Sequence, residues 1–184
     1  MHKYSKDQII RQTKNWLERV VVGFNFCPFA KKELLVDSIH YSVEESKDPE
    51  VCLKSLFREF LRLDENFQVE TTLLIFNKNF GNFYDFLNLV DMCNGFLDLQ
   101  GYEGVYQLAT FHPDYCFSES SVNDAANFTN RSPYPTIHII REASLERVLK
   151  QYEDPESIPQ RNINVARKQG FNALQTILTD CFKL

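Results

Sequence analysis

"DPEVCLKSLFREFLRLDENFQVETTLLIFN", Asp48 to Asn77, is where one hydrophobic period gives way to another. Asp48 is placed to cap a helix, and Pro49 falls at the first helical position, where its missing N–H costs nothing. Leu53, Leu56, Phe57, Phe60 and Leu63 then recur on one helical face. After Asn66 the pattern becomes "VETTLLIFN", a β-branched and apolar run suited to a strand covered on both faces. Upstream, between Val36 and Glu44, Ile39, Tyr41 and Val43 alternate with Ser38, His40 and Ser42, the period of a half-exposed strand. Strand, helix and buried strand in succession imply a right-handed crossover and parallel pairing.

Working outward, "NFYDFLNLVDMCNGFLDLQ" reads as a helix ending near Gly101, "GVYQLATFHP" as a third strand and "PTIHIIRE" as a fourth. Toward the N-terminus, Ser5 and Asp7 precede a helical repeat of Ile9, Ile10, Trp16, Leu17 and Val20 that stops at Gly23. "FNFCPFAKKELL" predicts a short helix opening at Cys27, with Pro28 in its first turn. Toward the C-terminus, "SLERVLKQY" is a helix capped by Ser144, and "IPQRNINVARKQGFNALQTILTDCF" is another opening near Pro159. After the first helix, the order matches the β-α-β-α-β-β-α succession of a thioredoxin-like core. The expected fold is therefore an α/β sandwich, a single domain over residues 1–184, with a mixed, about four-stranded sheet and an extra N-terminal helix. Such a match carries no function. "CPFA" looks like a glutaredoxin CPFC without its second cysteine, but it precedes the first strand, so redox exchange is not inferred.

Composition narrows the classes of function. At 184 residues and 43% hydrophobic content the chain sustains a sizeable core. A net charge of −5 with a pI near 5.4 disfavours nucleic acid or an acidic membrane as partner, because phosphate contacts need a concentrated basic face. No stretch approaches the ~20 apolar residues of a membrane span, and the N-terminus has no apolar leader, so a soluble cytoplasmic protein is expected. The five cysteines are odd in number and scattered, which fits reduced thiols better than disulfides or a zinc knuckle.

Candidate chemistry gathers in "FHPDYCFSESSVNDAANFTNRSPYP", the long connection before the fourth strand. His112, locked by Pro113 and followed by Asp114, has the makings of an oriented acid–base group; the alternative is a turn in which both only order the backbone. Arg131, ahead of the rigid "SPYP", suits a carboxylate or phosphate; otherwise it pairs with an acid of its own loop. Pro133 and Pro135 force extended geometry on Ser132 and Tyr134, and either X-Pro bond is open to the cis form. His138, inside the fourth strand, is a catalyst or a satisfied core group, and Arg141 shares the face of Ile137 and Ile139 if the strand persists that far. Cys27 is either a nucleophile at a helix start or a buried structural thiol. A transition-metal site would have to draw on Cys27, His112, Asp114 and His138, although no pair has a ligand spacing.

"GFNFCPFAKK", "YQLATFHPDYCF", "DAANFTNRSPYPTIHIIRE" and "IPQRNI" resemble, in that order, the blocks of the bacterial domain-of-unknown-function family 1415. The resemblance implies no activity, cofactor or substrate. It implies recurring positions: Cys27, Pro28, His112, Pro113, Tyr115, Asn127, Asn130, Arg131, Ser132, Pro133, Tyr134, Pro135, His138, Arg141 and Glu142. The leading expectation is an enzyme acting on a small anionic molecule, held by Arg131, Arg141, Tyr115 and Tyr134 and oriented by Asn127 and Asn130. His112 would be its general acid or base, assisted by Asp114 or His138. The alternatives are a ligand- or protein-binding module without chemistry, whose histidines make only internal hydrogen bonds, and a metal protein using Cys27 and the histidines.

Overall fold

The computed structural model describes residues 4–77 and 79–183. Helix α1 (Lys6–Trp16) continues as a π-helical segment, Leu17–Val22, and is followed by α2 (Ala30–Leu35), β1 (Ile39–Glu44), α3 (Pro49–Glu65) and β2 (Thr71–Phe76). Then come α4 (Phe83–Leu99), β3 (Tyr106–Phe111), a 3-10 turn at Ala125–Thr129, β4 (Thr136–Arg141) and α5 (Glu142–Leu149). A 3-10 turn at Pro155–Ser157, α6 (Ile158–Gln169) and α7 (Phe171–Asp180) complete the chain. Local chemistry sets the starts. Ser5 and Gln8 form a reciprocal capping box on α1, Asp48 accepts the Glu50 N–H on α3, and Asn82 accepts the Tyr84 and Asp85 N–H groups on α4.

The strands lie in the order β1-β2-β4-β3, with β1 parallel to β2 and β4 antiparallel to both of its neighbours. Thus β1, β2 and β3 point one way and β4 is inserted against them. Both crossovers step in the same direction across the sheet, so right-handedness places α3 and α4 on one face. There Leu74, Phe76, Ile137 and Ile139 pack with Leu56, Phe60, Phe86 and Leu89. On the other face Leu73 and Ile75 meet Ile9 and Tyr134. Trp16, Val20, Phe128, Ala166, Leu174 and Leu178 fill the helical layer there. All six residues of β2 are buried, as their apolar run requires.

The α/β class and the mixed four-stranded sheet are as expected. The likeness to a thioredoxin core ends at the succession along the chain, because β1 is an edge strand here, whereas that core has its first strand inside the sheet. Three boundaries also move. The short helix opens at Ala30 instead of Cys27, whose carbonyl accepts the Ala30 N–H at 3.3 Å across a turn. Helix α5 starts at Glu142, directly from the strand, and Ser144 lies inside it with its Oγ accepting from Arg147. The long terminal helix is two helices, divided at Gly170, whose φ of 83° and ψ of 154° are open to glycine alone. Among the described residues no peptide bond is cis, so Pro133 and Pro135 follow trans bonds, and no helix is long and apolar enough to cross a membrane.

Candidate functional site

The carboxyl ends of β1, β2 and β3 share one end of the sheet with the start of β4, and the "FHPDY" and "NRSPYP" segments meet there: the His112 N–H donates to the Asn130 carbonyl at 3.1 Å. Ligands of open parallel sheets bind at this end. His112 is wholly buried. Its Nε2 lies 2.8 Å from the Phe80 carbonyl, which only accepts, so Nε2 carries the hydrogen; Nδ1 accepts the Asp114 N–H at 3.0 Å. The ring sits between Phe83 and Phe86, with centroids 5.1 and 5.3 Å away. Burial pushes its pKa below the ordinary value, against an upward pull from the Phe80 carbonyl and Asp114. Asp114 meets the ring through its backbone, and the residue itself is exposed.

The remaining loop residues are held in the same manner. Asn127, fully buried, accepts the Phe117 N–H at 3.0 Å and donates to the Ser121 carbonyl at 2.8 Å. Arg131, also buried, donates from Nε to the Tyr115 carbonyl at 3.0 Å and from Nη2 to the Val122 carbonyl at 2.8 Å. Its guanidinium lies 4.8 Å above the Phe128 ring. Asn130 donates to the Thr110 carbonyl at 3.4 Å and accepts the Thr129 hydroxyl at 2.9 Å. Helix α1 fixes the far end of the motif: Trp16 Nε1 donates to the Arg131 carbonyl at 2.9 Å, and the Tyr134 phenol donates to Gln12 Oε1. Tyr115 is half-buried, edge-on to Phe83 and Phe117 at 5.4 and 5.1 Å.

Two further candidates lie elsewhere. His138 pairs with Ala109 on the face of the sheet that carries Phe111 and Trp16, while His112 points to the α4 face, so the sheet separates the two rings. The Thr71 hydroxyl donates to the Ile139 carbonyl and so accepts the His138 Nε2–H at 2.6 Å. Desolvation pushes His138 down to about 4. Arg141 shares the face of Ile137 and Ile139 and donates to the Leu63 and Val69 carbonyls. It stands at the opposite end of β4, roughly 17 Å of strand away from the loop. One pocket shared by Arg131, Arg141 and both histidines is therefore not formed.

Cys27 packs against the cluster that holds Trp16, Val20 and Phe26, and burial pushes its thiol up, against an opposing pull from the Phe29 and Ala30 N–H groups. Among the described residues no three His, Cys, Asp or Glu side chains stand where they could share a metal ion, so Cys27, His112, Asp114 and His138 do not make one. Instead, the "IPQRNI" segment clamps the turn before Cys27: Asn162 donates to the Phe26 carbonyl at 2.6 Å, and Arg161 donates to the Asn25 carbonyl at 2.9 Å.

One polar cluster escapes the sequence reading. Ser55 and Glu59 occupy the buried stripe of α3, opposite Glu44 and His40 of β1. Glu59 Oε2 lies 3.0 Å from Arg62 Nε and 3.6 Å from His40 Nε2; Ser55 donates to Glu44. Burial lowers the His40 pKa while Glu59 pulls it up. The available signal is that two polar residues four positions apart interrupt an otherwise apolar helix face.

The class defined by these observations is an α/β protein in which most of the motif residues tie down, through internal hydrogen bonds, a loop at the carboxyl end of the sheet. The model of the family described as "Protein of unknown function (DUF1415)" matches residues 8–176, and the chain belongs to that family. No curated protein and no solved structure matches it.

Proposed function

We propose that this chain is a binding module without catalytic chemistry, in which the segment from His112 to Pro135 forms a rigid recognition surface. One observation carries the reading: the side chains of His112, Asn127, Asn130 and Arg131 bond to partners inside the protein, chiefly backbone carbonyls. A group that must take a proton from a substrate needs a free nitrogen, and both ring nitrogens of His112 are engaged. Two open depressions of about 340 Å³ each lie elsewhere, one beside Lys14, His40 and Tyr41 and the other beside Pro28, Lys32 and Leu35, and neither includes a residue of this segment.

A second reading keeps the chain as an enzyme acting on an anionic small molecule through His112 and Arg131. Their position at the carboxyl ends of β1 to β3 favours it. Thermal shift separates the two. As a module, the protein is expected to show no rise in Tm with millimolar phosphate, dicarboxylates or nucleoside phosphates. A rise that disappears in folded Arg131→Lys and His112→Gln variants would overturn the proposal in favour of the second reading.

A further inference from the structure

Helix α4 has an outer face unlike that of an ordinary surface helix. Its inner face buries Phe86, Leu89, Val90, Cys93 and Leu97. Yet Tyr84 is 76% exposed, Leu99 79%, Met92 40% and Leu87 36%. An ordinary amphipathic helix keeps such residues on its buried side, whereas here they stand among the exposed Asp85, Asn88, Asp91, Asn94 and Asp98. The exposed face also has a single sign of charge. From Asn79 to Asn130 the sequence contains no lysine or arginine, while Asp85, Asp91, Asp98, Glu103, Asp114, Glu119 and Asp124 fall within it. Asp124 is bonded to Arg167, whereas Asp85, Asp91 and Asp98 have no ion-pair partner among the described residues. Asp91 and Asp98 stand seven positions, two turns, apart along the middle of the face, with Leu87 to one side and Met92 and Leu99 to the other. Beside them, one turn from each, lies Gly95, above which a Cβ would meet nothing within 4 Å. A glycine inside an exposed helix costs stability, but it lets another backbone approach closely. At the N-terminal end of α4 the face runs into the recognition loop through the ring contacts Tyr84–Phe83, Phe83–Tyr115 and Tyr115–Phe117, at 6.5, 5.4 and 5.1 Å.

We infer that the outer face of α4, together with this aromatic row, docks an amphipathic helix of another protein that carries lysine or arginine beside its apolar stripe. The inference rests on the reading as a binding module and names the partner's chemistry. Charge complementarity selects the occupant. A second copy packed α4 to α4 about a two-fold axis would oppose Asp91 and Asp98 to their own copies, and an anionic membrane would be repelled. A cationic helix instead meets aspartates along the middle of the face and the apolar side chains of Leu87, Met92 and Leu99 on either side of them.

The test uses two designed helical peptides with the same leucine stripe, one flanked by lysine and the other by glutamate, with binding to the full chain read by fluorescence anisotropy. The lysine peptide is expected to bind, and its affinity is expected to fall at least ~10-fold both in Asp91→Lys/Asp98→Lys and on raising salt from about 50 to 300 mM. Leu99→Ser should weaken it at low salt, with the Tm unchanged. Equal binding of both peptides, no effect of the aspartate variant, or self-association abolished by Leu99→Ser would overturn it. Anion-dependent stabilisation through Arg131 would instead strike at the binding-module reading and leave the peptide result standing.

Discussion

At the scale of single residues, the motif side chains act as ties between distant backbone segments. Removing Arg131 leaves the Tyr115 and Val122 carbonyls without their charged donor and strips a cation from the Phe128 ring, in a residue only 7% exposed. Arg131→Ala should cost about 2–4 kcal/mol in urea unfolding. Arg131→Lys should recover little, because an ammonium cannot reproduce the planar fork that serves two carbonyls. His138 predicts a pH dependence. Its folded pKa of about 4 lies below the unfolded value near 6.5, so between these limits the unfolded chain takes a proton that the folded chain refuses. Stability is therefore present above about pH 6.5 and is lost as the pH falls toward 4, by at most about 3 kcal/mol. His138→Gln should flatten that limb in denaturation curves recorded at stepped pH. The sequence made these residues conspicuous: an arginine before "SPYP" and a histidine fixed by a proline stand out. Their partners were not legible, because a backbone carbonyl such as that of Val122 has no signature in the sequence. Every residue has one.

At the scale of elements, periodicity carried most of the information. The apolar stripe of α3 and the unbroken run of β2 each have one economical reading, and both elements form over those residues. The terminal helices show where periodicity falls short. The apolar pattern of "NVARKQGFNALQ" continues through Gly170, but only the sign of φ there decides between one helix and two. Gly170→Ala forces a side chain into a conformation nearly confined to glycine, with no neighbour within 4 Å for it to strike, so it should destabilise by about 1–3 kcal/mol through backbone strain alone. Gly95→Ala is the control of opposite sign. That glycine is helical with open space beside it, and alanine should stabilise the protein by roughly 0.5–1 kcal/mol. Paired unfolding curves of the two variants read the difference directly.

At the scale of the whole molecule, the strand order was the part least legible in the sequence. Nothing in "PTIHIIRE" says that β4 inserts antiparallel between β2 and β3, since that choice is made by contacts far apart in the chain. The result is a sheet with distinct cores on its two sides, and the cysteines report on them separately. Cys52 and Cys93 lie in the layer of α3 and α4; Cys27 and Cys181 lie in the layer closed by α7. Leu174 and Leu178 of α7 are buried in that second layer with Trp16 and Val20, each burial being worth roughly 1.5–3 kcal/mol. A chain ending at Gly170 should therefore open one layer and spare the other. Alkylation followed by mass spectrometry is expected to label Cys27 at least ~10-fold faster than in the full chain, with Cys52 and Cys93 still protected, since local opening can lie well below global unfolding. The milder Leu174→Ala/Leu178→Ala variant should show the same selectivity to a smaller degree. If Cys27, Cys52 and Cys93 become reactive together in both variants, the sheet couples its two faces into one cooperative unit. The C-terminal helix would then be part of the fold's minimum and not a cover over one side.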